Sequence, residues 1–276
     1  MKIQTALAMT GGNTWRSYNM VAVWFYPAIM IGHHRIKVTS DDYRCFTRLL
    51  RPGDFLLTKS EPFFMSNKAI AGTAFKHLII YTGAIEGTRD PETGFILKPK
   101  SLANYKHSGE APMGIYERSI THAIKDGVVT QDLYDIFQHT DYIASIRPWI
   151  TSEQQKIIVE TALQQNGLEY NFEFKPGKSP KHYCTELGEF CCKKAGIEPP
   201  NKTKINISYK KLIFLWRDYS YPVILADHFV KFKMICNSMS CNNPAFYRSS
   251  DIVNELRQAI NESEDATTHN HKKELI

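Results

Sequence analysis

The sequence predicts an α+β fold in which an antiparallel sheet or small barrel packs against helices, one of them bearing a cysteine at its first turn. Short apolar runs bounded by Gly and Pro turns, such as Phe55–Thr58 after Pro52-Gly53-Asp54, supply the strands. Capped segments of helical period, one starting at Thr151 and one spanning Lys181–Gly196, supply the helices. With 276 residues, 43% hydrophobic and 22% charged, the chain can bury one sizeable core, or one core with an appendage, which excludes disorder throughout. The net charge of +6 arises from 34 basic against 28 acidic residues spread along the chain, so no nucleic-acid partner is expected.

Residues 1–42 read as an N-terminal apolar extension without the long apolar segment and cleavage site of a signal peptide. Within it Tyr18–Ile31 is too short to span a bilayer and carries Pro27. It reads as a core element; a weak membrane-surface anchor is the alternative, although no basic face supports it. His33–Asp42 reads as a polar break. A main domain is then expected over 43–235, opening with the strand Phe55–Thr58 and a neighbour, His77–Gly83, whose first residue is a histidine. Glu86–Pro112, rich in Gly, Pro, Lys and Asn, reads as an insertion, either a long excursion or a hairpin around Gly94–Lys98. Because it follows the histidine strand, it is expected beside the cleft as a lid or binding loop, with Lys98, Lys100, Tyr105, Lys106 and His107 suited to an acidic or carboxylate-bearing substrate; a tolerated surface insertion is the alternative.

The strand Ile115–Ile120 places Glu117 on the face of Ile115. Further strands are expected at Gly127–Val129 and Tyr142–Ile146, with a short helix or turn over Gln131–Gln138. Thr151 and Gln154 stand at capping-box spacing and start a helix running to about Asn166, stopped by Gly167. An aromatic stretch over Leu168–Lys175 and a turn ending at Pro180 lead into His182-Tyr183-Cys184. The following helix has one apolar stripe of Leu187, Phe190, Cys191 and Ala195, and it ends at Gly196 ahead of Pro199 and Pro200. Ile213–Trp216, Val223–Leu225 and Phe229–Phe232 are expected to complete or cover the sheet. Residues 236–260 read as a C-terminal extension, and 261–276 as a disordered tail.

A cysteine at a helix N-terminus meets unpaired backbone N–H groups and the positive end of the helix dipole, both favouring thiolate. Cys184 is therefore a candidate nucleophile; its alternative is a small buried hydrophobe. The six cysteines form no CxxC pair and read as mainly reduced thiols, hence a cytoplasmic protein. Pairing of Cys236 with Cys241 stays open. Zinc at His182 and Cys184 is discounted, because about four ligands are needed and the near ones, Cys191 and Cys192, lie on or beside the apolar stripe. Neither metal nor cofactor is expected.

The segments GDFLLTK, HLIIYTG, IYERSI with GVV, LEYNFEF and HYCTELGEF, in this order from about Leu50 to Phe232, resemble the YaeF/YiiX family of permuted papain-like amidases, relatives of NlpC-type cysteine peptidases. HYCTEL carries most of the likeness. The resemblance implies a permuted papain-like fold and a cysteine hydrolase acting on an amide bond of a small peptidoglycan-type peptide or acyl-amide. It carries the active residues onto Cys184, His77 and Glu117, the last separated from His77 by the insertion. Tyr183 and Tyr170 are candidate substrate or oxyanion contacts. Glu186, which would raise the thiol if it faced inward, is assigned to the helix N-terminus instead. Two other readings remain, a lipid acyltransferase or thioesterase on the same fold, disfavoured by HYCTEL, and a non-catalytic binding module.

Overall fold

The structure is a computed structural model that describes residues 38–59, 75–102, 105, 113–171, 180–208, 218–223 and 225–237. The Tyr18–Ile31 segment, the run Ile213–Trp216, Lys106, His107, Cys241 and the 261–276 tail lie outside the described residues. Helix α1 (Ser40–Leu49) is followed by strands β1 (Phe55–Lys59), β2 (His77–Arg89), β3 (Ile96–Ser101), β4 (Ile115–Ile124) and β5 (Gly127–Asp132). Then come the short α2 (Leu133–Phe137), β6 (Tyr142–Arg147), α3 (Ser152–Gln164), α4 (Cys184–Lys194), β7 (Thr203–Ser208), β8 (Asp218–Val223), a 3-10 helix (Ala226–Lys231) and β9 (Lys233–Asn237).

The sheet runs β5-β4-β2-β1-β6-β9, antiparallel throughout, with β3 paired to the far end of β2; β7 and β8 form a separate ribbon. The expected antiparallel sheet against helices is therefore present, built as an open sheet with a helical layer on each face. Alternation along the strands explains the two layers. Phe55, Leu57, Leu78 and Ile80 face α3 and α4 through Ile158, Ala162, Leu187 and Cys191. Leu56, Ile79, Tyr81 and Ile120 face the other way, onto Phe46 of α1 and Leu133 and Phe137 of α2.

Several elements have the termini their sequences dictate. Thr151 and Gln154 close a capping box on α3, and Gln154 Nε2 also donates to the Ala195 carbonyl at 3.1 Å, tying the start of α3 to the end of α4. Gly196 (φ +68°) takes the left-handed conformation after α4. Asp54, fully buried, accepts from Arg147 Nε at 2.7 Å, from its Nη2 at 2.8 Å and from the Arg51 N–H at 2.8 Å, which locks the turn entering β1 to β6.

Four expectations are corrected or narrowed. The polar break before Asp42 is in fact the start of α1, capped by Thr39 and Asp42, so α1 straddles the expected boundary at 43, and β9 straddles the one at 236. Over residues 86–101 the hairpin alternative holds and the long excursion does not: β2 runs on to Arg89, Asp90–Gly94 makes the turn, and β3 returns. Ile96 of β3 is buried with Ile85, Val159 and Leu163, so the hairpin belongs to the core. Of the two outcomes expected for Phe229–Phe232, it covers the sheet rather than completing it, as the end of the 3-10 turn Ala226–Lys231 with Phe229 packed on Phe55. Finally, Cys45 is disulfide-bonded while Cys184, Cys191, Cys192 and Cys236 are free. A free Cys236 overturns its pairing with Cys241, and a disulfide at Cys45 weakens the thiol-based ground for a reducing compartment. Among the described residues no helix is long and apolar enough to cross a membrane.

Candidate active site

Tyr183, extended at the N-cap of α4, offers no side-chain cap to the first turn. Instead Glu186 reaches back: its Oε2 accepts from the Tyr183 N–H at 3.3 Å and from Asn171 Nδ2 at 2.9 Å. Glu186 thus holds the helix N-terminus, the role expected from sequence. The approach to the helix is pinned on its other side, where Tyr170 and His182 form a parallel bridge through Asn171 N–H to His182 carbonyl (3.1 Å) and His182 N–H to Glu169 carbonyl (3.3 Å). Cys184 follows at the first helical position, half-buried, whereas Cys191, Cys192 and Cys236 are buried.

The backbone N–H groups of Leu78, Thr185 and Cys184 itself all draw the pKa of the Cys184 thiol down. Burial outweighs them and raises the thiol above its ordinary value. The expectation of a resting thiolate is thereby corrected: removal from water costs the anion more than the helix end returns. Cys184 still differs in degree from its neighbours, since Cys192 and Cys236 are pushed up to about 12 and Cys191 well above its ordinary value.

Leu78 is the residue after His77, so the thiol meets the very start of β2. There β1 pairs with β2 as Thr58↔His77, while the β2–β4 pairs reach only Ile80↔Thr121, leaving His77 and His122 beyond the last pair. Across this gap His77 Nε2 lies 2.8 Å from His122 Nδ1, with ring centroids 5.0 Å apart. Burial pushes His77 down to about 4 and His122 well below the ordinary histidine value, so both rings are neutral at pH 7. The Gln131 side chain of β5 favours the charged form of His122 but lies outside hydrogen-bond geometry, leaving His122 Nε2 without a partner.

Sequence reasoning missed His122. Its strand was recognised only as far as Ile120, although His122 falls on the same face by strict alternation. Glu117, the residue expected to orient His77, is elsewhere. It is five residues from His122 on β4, about 17 Å at about 3.4 Å per residue, and follows Tyr116, whose partner across the ladder is Ile85 at the end of β2 away from His77. The insertion is remote as well: from His77 to Ile85, where pairing with β3 begins, β2 rises about 27 Å, so the hairpin leaves the opposite end of the strand. Tyr183 and Tyr170 do flank the cysteine helix, Tyr183 buried with its phenol raised by burial and by nearby carboxylates, Tyr170 half-buried. Among the described residues no group of three or more His, Cys, Asp or Glu is placed to share a metal ion.

Residues 49–213 match the family described as permuted papain-like amidase enzyme, YaeF/YiiX, C92 family. One solved structure, that of the metalloprotein YiiX from Escherichia coli O157:H7, is similar at 17% identity over 56% of this chain and 72% of that one, with a TM-score of 0.38. No curated protein matches. Because the family match spans more than half of the sequence, the chain belongs to the YaeF/YiiX family of permuted papain-like amidases.

Proposed function

We propose that the protein is a cysteine-dependent amidase in which Cys184 is the nucleophile, His77 the general base and acid, and His122 the group that orients His77. The observation that carries this reading is a nearness along the chain: the N–H of Leu78 acts on the Cys184 thiol at the head of α4, and the preceding residue is His77, whose neutral imidazole lies 2.8 Å from that of His122. In the tautomer where Nε2 of His77 donates to Nδ1 of His122, Nδ1 of His77 keeps the lone pair that a base requires.

A raised thiol beside a lowered imidazole rests as a neutral pair, so the proton moves from Cys184 to His77 as the sulfur attacks the carbonyl carbon. The N–H groups of Leu78, Thr185 and Cys184 that act on the thiol are suited to the developing oxyanion. Collapse expels the amine, which takes the proton from His77 and leaves a thioester on Cys184. Water then attacks the thioester, again giving a proton to His77, and returns the acid and the free thiol. The substrate class we assign is a small peptidoglycan-type peptide or an acyl-amide.

The test is to incubate the protein with a peptidoglycan stem peptide and with an N-acyl anilide, and to look by mass spectrometry for an acyl adduct on Cys184. Cys184→Ala and His77→Ala should abolish turnover with the fold intact. Full hydrolysis by Cys184→Ala would overturn the mechanism.

A further inference from the structure

We infer that Asp227, in the 3-10 turn Ala226–Lys231, is a positioning residue for His77, and that this turn braces the histidine strand against the cysteine helix. The inference rests on the Cys184–His77 reading above. Asp227 is 2% exposed, and its Oδ1 accepts from the Phe75 N–H at 2.7 Å across 152 residues of chain. Its charge also acts on Lys76, favouring the ammonium that burial disfavours. Phe75 and Lys76 are the two residues before His77, and the Lys76 N–H donates to the Thr58 carbonyl at 2.9 Å, the bond with which β2 joins the sheet. A buried carboxylate is costly unless its partners are in place, so it specifies where those partners sit. Here they are the backbone and side chain that deliver the histidine.

The same turn touches the other half of the site. Phe229, fully buried, packs edge-on against Phe55 with centroids 5.3 Å apart and lies 3.0 Å from where a Cβ on Gly188 would stand, one helical turn after Cys184. Lys231 Nζ donates to the carbonyls of Glu198 (3.1 Å) and Pro199 (3.0 Å), on the loop that leaves α4. Asp227 therefore holds the entry to β2 while Phe229 and Lys231 hold α4 and its exit. The turn lies beyond the family-matched residues 49–213, so this brace on nucleophile and base comes from outside that region.

The titratable and charged groups near His77 are His122 from β4, Lys76 on its own segment with Lys59 near it, and Asp227 from the turn, with Cys184 of α4 acting at the next residue, Leu78. The experiment uses the full chain with labelled histidine, following the His77 titration by NMR, iodoacetamide alkylation of Cys184 against pH, and urea unfolding. Asp227→Ala, and Asp227→Glu, which keeps the charge but moves the acceptor by a methylene, should let water reach His77 and raise its titration by about one pH unit or more. Asp227→Asn, which keeps an acceptor for the Phe75 N–H, should leave it near wild type. An unchanged His77 titration in Asp227→Glu, or an Asp227→Asn titration moved to the ordinary histidine value, would overturn the inference even if Asp227→Ala fails to fold. His77→Ala separates the two proposals: if Cys184 alkylates there with the wild-type pH dependence, the Cys184–His77 reading fails, whatever the Asp227 variants do.

Discussion

A Cβ built on Gly188 would stand 2.3 Å from Cδ2 of Leu78, so the cysteine helix seats on the histidine strand through a contact that no side chain larger than hydrogen allows. Leu78 is 1% exposed and Phe229, on the other side of the same spot, is fully buried, leaving neither free to retreat. Gly188→Ala should therefore lift α4 and cost about 1–3 kcal/mol by overpacking. It should also slow alkylation of Cys184, whose sulfur would lose the Leu78 N–H. Urea midpoints and labelling rates check both, and adding Leu78→Ala should recover part of the stability loss. An unshifted midpoint in the single variant would refute the close approach.

Because His122 holds His77 through a ring nitrogen at 2.8 Å, His122→Ala should lower kcat by on the order of 10²-fold or more with little change in KM, the pattern of a group acting in the transition state. Glu117→Gln should leave both parameters unchanged, since about 17 Å of strand separates it from His122. Steady-state kinetics on the pair of variants decides between the two residues. A large loss in Glu117→Gln with none in His122→Ala would restore the assignment that the family resemblance suggests.

The lowered histidine has a pH signature with a definite sign. Its folded pKa, about 4, lies below the ordinary 6.5, so between these values the unfolded chain binds a proton that the folded chain refuses. The stability tied to neutral His77 is fully present above 6.5 and falls as pH drops toward 4, by up to about 3 kcal/mol. The acid limb of kcat/KM should likewise fall near 4, and the alkaline limb should lie above the ordinary thiol value. Activity lost with a midpoint of 6.5 would show that the imidazole is hydrated in solution.

Local signals made much of this readable. Capping chemistry at Thr151 and Gln154, the glycine after α4 and the apolar period of Leu187 and Cys191 each act within one or two turns of chain, so they announce their elements directly. The same chemistry was present at Thr39 and Asp42 and shows that α1 was legible, although the surrounding polar residues made it read as a break. What sequence could not supply was distance. His122 is 45 residues from His77, and Asp227 is 152 from Phe75; neither pairing leaves a mark in spacing or composition. The thiol pKa misled for a related reason, because the helix-end effect is local while the burial that outweighs it comes from the whole packed face.

The buried pair of Asp54 and Arg147 joins the turn before β1 to the end of β6, and Arg147 also reaches the Leu49 carbonyl at 2.8 Å. Arg147→Met would leave a carboxylate with no exposed side-chain surface and without its countercharge. A loss of about 3–5 kcal/mol is expected, measured by urea unfolding. Adding Asp54→Asn removes the orphaned charge and should return much of that loss. If Arg147→Met costs less than about 1 kcal/mol, the pair is no more than a surface bridge.

The β2–β3 hairpin is best judged by deletion. Two facts oppose its reading as a lid: it leaves β2 at the end away from His77, and Ile96 is buried with Ile85, Val159 and Leu163 against α3. Replacing residues 88–110 with a Gly-Ser linker removes β3 and the Ile96 side chain, and so uncovers part of a core cluster on the face that seats α3. Emptying such a site typically costs about 2–5 kcal/mol for each large aliphatic side chain. The variant should therefore melt well below wild type, while Cys184 at low temperature keeps its labelling rate and its dependence on His77. A lid would behave in the opposite way, with the melting temperature preserved and the substrate preference changed. Ile96→Ala alone gives the same discrimination with the backbone intact, and should lower stability without altering KM for a peptide or an anilide.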